Sequence, residues 1–408
     1  MIINKAFENK KLKNNILALG AEATNAKKNN PNVINATSGM FKGEDGALYE
    51  FVSVKKAIDS LNASQKFSYA NTTGTPAYKK AILSSIFGKY QDEVIKDNFY
   101  DVIPTPGGTG ALNVAFFNYT EKGDTVLLPN YMWENYMNLC EDMGINYDTY
   151  RLFDDASLFN IKDLNERISI LKNKQKRIVM LINDPCQNPT GFCMKDEDYD
   201  ALLKIAYDNP NNDFVYVLDI AYFDFYSADL DIIRKRFAKV KDVSNNALVL
   251  FTYSGSKSFG LYGLRIGALL ALSKSEKEID CFHNASAFAG RTKWSNATHF
   301  GMNIIEELII NNKFHDMYLA EIKNVCSILE KRGIAFIEAA KEVGLKILPY
   351  QKGFFVSVPC LDSTRATKEL QKDDVYLIPT KDGLRIALSS VNIEEAKRLP
   401  AIIKKHLG

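Results

Sequence analysis

Tyr253-Ser-Gly-Ser-Lys-Ser-Phe-Gly-Leu-Tyr-Gly-Leu-Arg-Ile-Gly267 is the stretch on which the reading of this chain turns. It follows one apolar run, Ala247–Thr252, and leads into another, Arg265–Leu272. Lys257 stands between Ser256 and Ser258, with Ser254 just before, and Arg265 comes eight positions later. A lysine amine condenses with an aldehyde to form an imine. Hydroxyls and a guanidinium beside it bind a phosphate. Alone, Ser-Lys in a loop is the pattern of a solvated surface lysine, so the surroundings decide.

Outward from this run, short β-rich segments alternate with amphipathic ones between about 100 and 275. The segments are Tyr100–Ile103, Thr125–Leu128, Arg177–Ile182, Phe214–Leu218, Ala247–Thr252 and Arg265–Leu272. Nearly continuous apolar strands separated by helices predict an α/β domain whose sheet is mostly parallel and covered by helices on both faces. Polar signatures follow most of the strands: Thr105–Gly110, Pro129–Trp133, Asn183–Gly191, Asp219–Tyr222 and Ser254–Lys257. Ligands of open α/β sheets bind beyond the carboxyl ends of the strands, so these signatures point to one site.

Each signature has its own chemistry. Thr105-Pro-Gly-Gly-Thr-Gly-Ala111 opens a helical pattern, Ala111–Tyr119, and backbone amides at Gly107, Gly108 and Thr109 suit a phosphate. The same segment is a glycine-rich turn if it stands alone, and it lacks the G-x-G-x-x-G spacing of a dinucleotide loop. Asp219, at a strand end, suits a protonated ring nitrogen, or caps a turn. Tyr222 and Asn188, in Asn-Pro-Thr-Gly191, offer donors to a phenolic oxygen. Trp133 offers a stacking face or core packing. Arg385 interrupts an apolar strand, Gly383–Leu388, and a buried arginine there needs a carboxylate or a structural ion pair. An imine-forming lysine, a phosphate cup and an acid for a pyridine nitrogen together are what pyridoxal 5′-phosphate (PLP) requires.

Bulk properties narrow the class. A chain of 408 residues predicts two domains. The formal charge of +2 gives no reason to expect nucleic acid or an anionic membrane as a partner. No apolar run is long enough to span a bilayer, and residues 1–13 are polar and basic, without the apolar segment of a signal peptide. The six cysteines form no C-x-x-C pair, so neither a metal site nor a disulfide framework is expected, and a reducing cytoplasm is the simplest compartment. From about Met302 the texture changes to a long helical pattern, Glu306–Ala340, then short strands at Phe354–Pro359 and Gly383–Leu388 and a last amphipathic helix. The expected division is an N-terminal arm and part of a small domain over 1–47, a large cofactor domain over 48–305, and a small domain over 306–408.

Gly-Gly-Thr-Gly, Trp, Asn-Pro-Thr-Gly, Asp-x-Ala-Tyr, Ser-x-Ser-Lys-(x)7-Arg and a late Arg occur in this order over residues 32 to 390. Together they resemble a class I aminotransferase of PLP fold type I, near the aspartate and aromatic aminotransferases. The resemblance implies a seven-stranded, mostly parallel sheet between helices, plus a smaller α/β domain. It implies that Lys257 carries the cofactor and shuttles a proton, that Asp219 pairs with the pyridine nitrogen, and that Tyr222 and Asn188 meet the phenolic oxygen. Trp133 and Ala221 would lie on opposite ring faces. Gly107, Gly108, Thr109, Ser254, Ser256 and Arg265 would hold the phosphate, with Tyr69 donated by a neighbouring subunit. Arg385, with Gly39 nearby, would take the substrate α-carboxylate, alongside Trp133 and Asn188. Arg291, in Arg-Thr-Lys-Trp-Ser-Asn296, resembles the arginine that reaches across a dimer to a side-chain carboxylate. A homodimer with shared sites follows. So does ping-pong transfer between an L-amino acid (aspartate, glutamate or aromatic) and a 2-oxo acid such as 2-oxoglutarate.

Two departures bear on substrate and cofactor. Ala297-Thr298 follows Ser-Asn where the family often has two prolines, and Tyr136 stands where many members have a histidine supporting the aspartate. Other PLP reactions on the same fold, a β-lyase, decarboxylase or synthase, share the cofactor motifs. A PLP-binding regulatory module would ordinarily carry an added DNA-binding domain, for which no residues are left over.

Overall fold

The apolar runs become strands in chain order: β1 (Ile34–Asn35), β2 (Phe99–Thr105), β3 (Thr125–Pro129), β4 (Asn146–Tyr150), β5 (Arg177–Asn183), β6 (Asp213–Asp219), β7 (Ala247–Ser254), β8 (Gly267–Ser273), β9 (Phe355–Pro359), β10 (Val375–Tyr376), β11 (Ile378–Thr380) and β12 (Gly383–Ala387). The computed structural model describes residues 16–407 together with residues 2, 3, 5, 8 and 10, so most of the basic stretch 1–13 lies outside the described residues.

Strands β2 to β8 make one seven-stranded sheet in the order β2-β8-β7-β6-β5-β3-β4. Only β8 is reversed, running antiparallel to both β2 and β7, while the remaining pairs are parallel. Alternate residues of each strand point to opposite faces, and both faces are buried. One face, with Val126, Val179, Val215, Leu250 and Leu269, packs with residues of the helices Gly107–Tyr119, Asn135–Met143 and Glu276–Lys293. On the other face Phe251 meets Phe87 of helix Pro76–Phe87 at 5.4 Å and Phe237 of helix Asp231–Phe237 at 5.5 Å. Each phenylalanine buried there contributes on the order of 2–3 kcal/mol. This is the mostly parallel α/β sheet between helices that the alternating pattern predicts.

By contact density the chain divides into a larger unit, Leu48–Lys331 with Pro349–Phe355, and a smaller one, Met1–Ala47 with Arg332–Leu348 and Val356–Gly408. One division between these units falls at 331/332, inside the helix Asn312–Glu342. An uninterrupted helical periodicity carries no punctuation at that point. The predicted helix Glu306–Ala340 is two helices, His299–Ile310 and Asn312–Glu342, separated at Asn311. In the smaller unit β1 pairs in parallel with β10, and β11, β12 and β9 form a three-stranded sheet. No helix among the described residues is long and apolar enough to cross a membrane.

Candidate active site

One rim of the large sheet carries the signatures. At that rim Thr105 of β2 and Ser254 of β7 both pair with Gly267 of β8. Beyond β2 the chain turns at Pro106 into the helix Gly107–Tyr119. Gly107 has φ of +70°, and a Cβ there would lie 2.5 Å from Nη2 of Arg265. Glycine is thus required twice, for its backbone angle and for the approach of the guanidinium. A Cβ on Gly267 would meet the carbonyl oxygen of Tyr253 at 2.4 Å, and one on Gly108 would lie 3.3 Å from Cβ of Ser254. Arg265 is exposed and left-handed (φ +57°), and its Nη1 donates to Ser256 Oγ at 2.8 Å and to the Tyr262 carbonyl at 3.0 Å. Gly107, Gly108, Ser254, Ser256 and Arg265 therefore converge, with Thr109 next along the helix. Unpaired amides of a helix N-terminus, a guanidinium and hydroxyls make an anion cup.

A buried acid closes the next part of the rim. Asp219 ends β6 and pairs with Asn183 of β5 on one side and Thr252 of β7 on the other. Its Oδ2 accepts from the Tyr136 hydroxyl at 2.6 Å and its Oδ1 from the Ala221 amide at 3.2 Å. Burial pushes the Asp219 carboxyl up, and the bonds from Tyr136 and Ala221 oppose that rise. Burial and the adjoining carboxylate push the Tyr136 hydroxyl well above its ordinary range, so it stays a donor. Trp133 sits edge-on to Tyr136, with centroids 5.6 Å apart. From strand spacing and rise, the Cα atoms of Ser254 and Asp219 are roughly 8 Å apart.

Asn183 joins this acid to the neighbouring loop. Its Nδ2 donates to the Asp219 carbonyl at 2.8 Å, and its Oδ1 accepts from the Asn188 amide at 2.8 Å. The loop is pinned further by Gln187, which accepts from the Thr190 hydroxyl at 2.6 Å and donates to the Tyr131 carbonyl at 2.7 Å. The Asp184–Pro185 and Asn188–Pro189 bonds are cis. Asn183 opens the Asn183–Gly191 signature, and a polar residue closing a buried strand is the sequence signal for this linking role.

Lys257 is half-buried on the short helix Gly255–Ser258. Its Nζ lies 5.0 Å from the ring centre of Tyr262 and 5.8 Å from that of Tyr222. Tyr222 is buried and packs on Phe354 and Phe355 at 5.3 and 5.5 Å. Tyr262, itself part of the run Tyr253–Gly267, meets both Lys257 and Arg265. Tyr69 is 92% exposed. Arg291 is also exposed, and its Nη1 donates to Ser295 Oγ at 2.7 Å. Asn296 ties the two segments together by donating to the Ala70 carbonyl at 2.6 Å. In the smaller unit Arg385 is buried on β12 and donates through Nη2 to the Thr37 carbonyl at 3.1 Å, two residues before Gly39.

PLP fits this set. The cup gathers a guanidinium, serine hydroxyls and glycine amides, the donor set a phosphate takes, and the buried Asp219 carboxylate on the same rim matches a cationic ring nitrogen.

Comparison with known proteins gives the same direction. The family model described as "Aminotransferase class I and II" matches residues 31–403. An aromatic-amino-acid aminotransferase of Escherichia coli K12 is 26% identical over 381 residues, covering 91% of this chain and 93% of that protein. An aspartate aminotransferase of the same organism is 26% identical over 321 residues, 77% of this chain and 78% of its own length. The crystal structure of an aminotransferase from Anaerococcus prevotii DSM 20548 superposes with a TM-score of 0.95 at 31% identity, covering 100% of both chains.

Proposed function

The chain belongs to the class I and II aminotransferase family, and from that premise we propose which residues carry the reaction and which substrates they serve. It is a PLP-dependent enzyme that transfers an amino group between an amino acid and a 2-oxo acid. When bound, PLP supplies an aldehyde that takes up the amino group and a protonated ring that withdraws electrons from the substrate Cα.

The residues divide the remaining work. Gly107, Gly108, Thr109, Ser254, Ser256 and Arg265 hold the phosphate. Asp219 keeps the ring nitrogen protonated, because a buried carboxylate stabilises a cation at contact. Tyr222 and Asn188 donate to the phenolic oxygen, and Trp133 and Ala221 flank the ring. Lys257 would anchor the cofactor through its amine and, once freed, would serve as the base that moves the proton between substrate Cα and C4′. Arg385 and Gly39 receive the α-carboxylate, and Arg291 a side-chain carboxylate. Tyr69 and Arg291 act from a neighbouring subunit of a homodimer, a reading supported by their exposure on adjoining segments of one chain. The donor is aspartate, glutamate or an aromatic amino acid, the acceptor 2-oxoglutarate, and the order ping-pong. The names of the relatives and the carboxylate-seeking arginines support these substrates. Six free cysteines support a cytoplasmic location.

The observation that carries this reading is the anion cup and the buried Asp219 on one rim, with Lys257 beside the cup. The test is a visible absorption spectrum of the purified protein with glutamate, aspartate, tyrosine and phenylalanine added singly. A cofactor band that bleaches with one donor supports the reading and names the substrate class; a band unmoved by all of them overturns the substrate assignment. Lys257→Ala should lower turnover by about 10³-fold or more, while PLP still binds non-covalently. Full turnover in that variant would remove Lys257 from its role.

A further inference from the structure

The smaller unit contains a fully buried arginine, Arg332, with its guanidinium engaged on every side. Nε donates to Glu44 Oε1 at 2.9 Å, and Nη2 reaches the same oxygen at 2.8 Å. Nη2 also donates to the Lys42 carbonyl at 2.8 Å, and Nη1 to the carbonyls of Leu388 and Ser389 at 3.1 and 3.2 Å. Phe41 packs its ring against the guanidinium, 5.2 Å from centre to centre. The second oxygen of Glu44 accepts from the Ile393 amide at 3.0 Å.

Burying a guanidinium is costly, and apolar packing would stabilise the same volume at least as well. What apolar packing cannot supply is a planar fork that fixes several carbonyls at set angles. The carbonyls chosen here belong to two segments. Residues 41–44 follow Gly39, and residues 388–389 follow Arg385. The same two segments are joined along their length. The Ala387 amide donates to the Ala36 carbonyl at 2.9 Å, and the Lys42 amide to the Ser389 carbonyl at 2.8 Å. Ser390 Oγ donates to the Asn35 carbonyl at 3.0 Å. Arg385 itself donates to the Thr37 carbonyl within this seam. Arg332 closes one end of it.

We propose that Arg332 is a positioning residue for substrate carboxylate. By locking β12 to the segment 35–44, it holds Arg385 and Gly39 in the geometry that receives the carboxylate of both amino acid and oxo acid. This rests on the reading of Arg385 given above. A misplacement of a binding group by an ångström is enough to forfeit much of its contribution.

The experiment compares Arg332→Lys with Arg385→Lys in the full-length, PLP-loaded enzyme, using L-glutamate and 2-oxoglutarate. Lysine keeps the charge but cannot span the two segments. Arg332→Lys should raise KM for both substrates about tenfold, the equivalent of one charged hydrogen bond, with kcat within about threefold of wild type. Its cofactor band and PLP affinity should be unchanged, which a general loss of structure would not permit. An unchanged KM in folded Arg332→Lys, with a raised KM in Arg385→Lys, overturns the inference about Arg332 alone. An unchanged KM in Arg385→Lys overturns the carboxylate reading itself. If Arg332→Lys does not fold, Glu44→Ala carries the test, because that side chain is 43% exposed and removing it frees one edge of the guanidinium. A KM raised about threefold or more supports the role, and an unchanged KM overturns it.

Discussion

At the scale of single residues, the bond from Tyr136 to Asp219 places a hydroxyl against the buried acid. A histidine in that place would titrate, whereas a buried tyrosine hydroxyl pushed far above its usual range remains a neutral donor. The bonds from this hydroxyl and from the Ala221 amide thus oppose the upward push of burial on the Asp219 carboxyl. Tyr136→Phe removes the hydroxyl alone. The carboxyl then rises further, loses its charge at a higher pH, and ceases to stabilise a protonated ring nitrogen there. The acid limb of kcat/KM should move upward by about one pH unit, the equivalent of one hydrogen bond of ~1.4 kcal/mol. A pH–rate profile beside a pH titration of the cofactor band checks this, and an acid limb that stays in place in both would separate Tyr136 from Asp219.

Among the elements, legibility in the sequence followed burial. Runs such as Arg177–Ile182 and Ala247–Thr252 are readable as strands because both of their faces are covered and all but an end residue of each is apolar. Strand β4, Asn-Tyr-Asp-Thr-Tyr150, was not among the expected runs, because an edge strand that is half exposed needs no apolar run. The reversal of β8 was equally hidden, since an apolar strand reads alike in either direction. Arg265, expected to begin that strand, instead turns left-handed before Gly267 to place its guanidinium against Gly107. The cup was therefore legible as composition, but its closure was not, because it depends on a backbone angle and on register between strands.

The turn Phe223–Phe225 after β6 has a consequence for stability. Burial pushes the Asp224 carboxyl from an ordinary 3.8 up to about 6, against the opposing pull of Ser258, Arg234 and Tyr318. A folded pKa above the unfolded one means that the folded state binds the proton more tightly. Stability from this source is full below about pH 4 and is lost as pH rises through about 6, at a cost of up to ~3 kcal/mol. Asp224→Asn should accordingly raise Tm by roughly 2–4 °C at pH 7.5 and by much less at pH 5. Melts at the two pH values decide it; an equal shift at both would mean that charge is not the cause.

For the whole molecule, the question is whether a single chain holds a complete site. Tyr69 is 92% exposed, and neighbouring Phe67 is 85% exposed. Phe288, one helical turn from Arg291, is 70% exposed. Large rings left in water beside residues assigned to phosphate and substrate binding fit a surface that a second copy covers. If Tyr69 serves the partner, the defects of two variants can be sorted into one site. A dimer of one Lys257→Ala chain and one Tyr69→Ala chain has one site lacking both side chains and one site intact. Co-expression of the two should then give dimers of twice the chain mass, with about a quarter of wild-type activity per chain under random pairing. That exceeds what the inactive Lys257→Ala and the weakened Tyr69→Ala supply when assayed apart and summed. If Tyr69 instead serves its own chain, every site in the mixed dimer carries a defect and co-expression gains nothing. The comparison separates an assembly that completes the site from one that merely accompanies it.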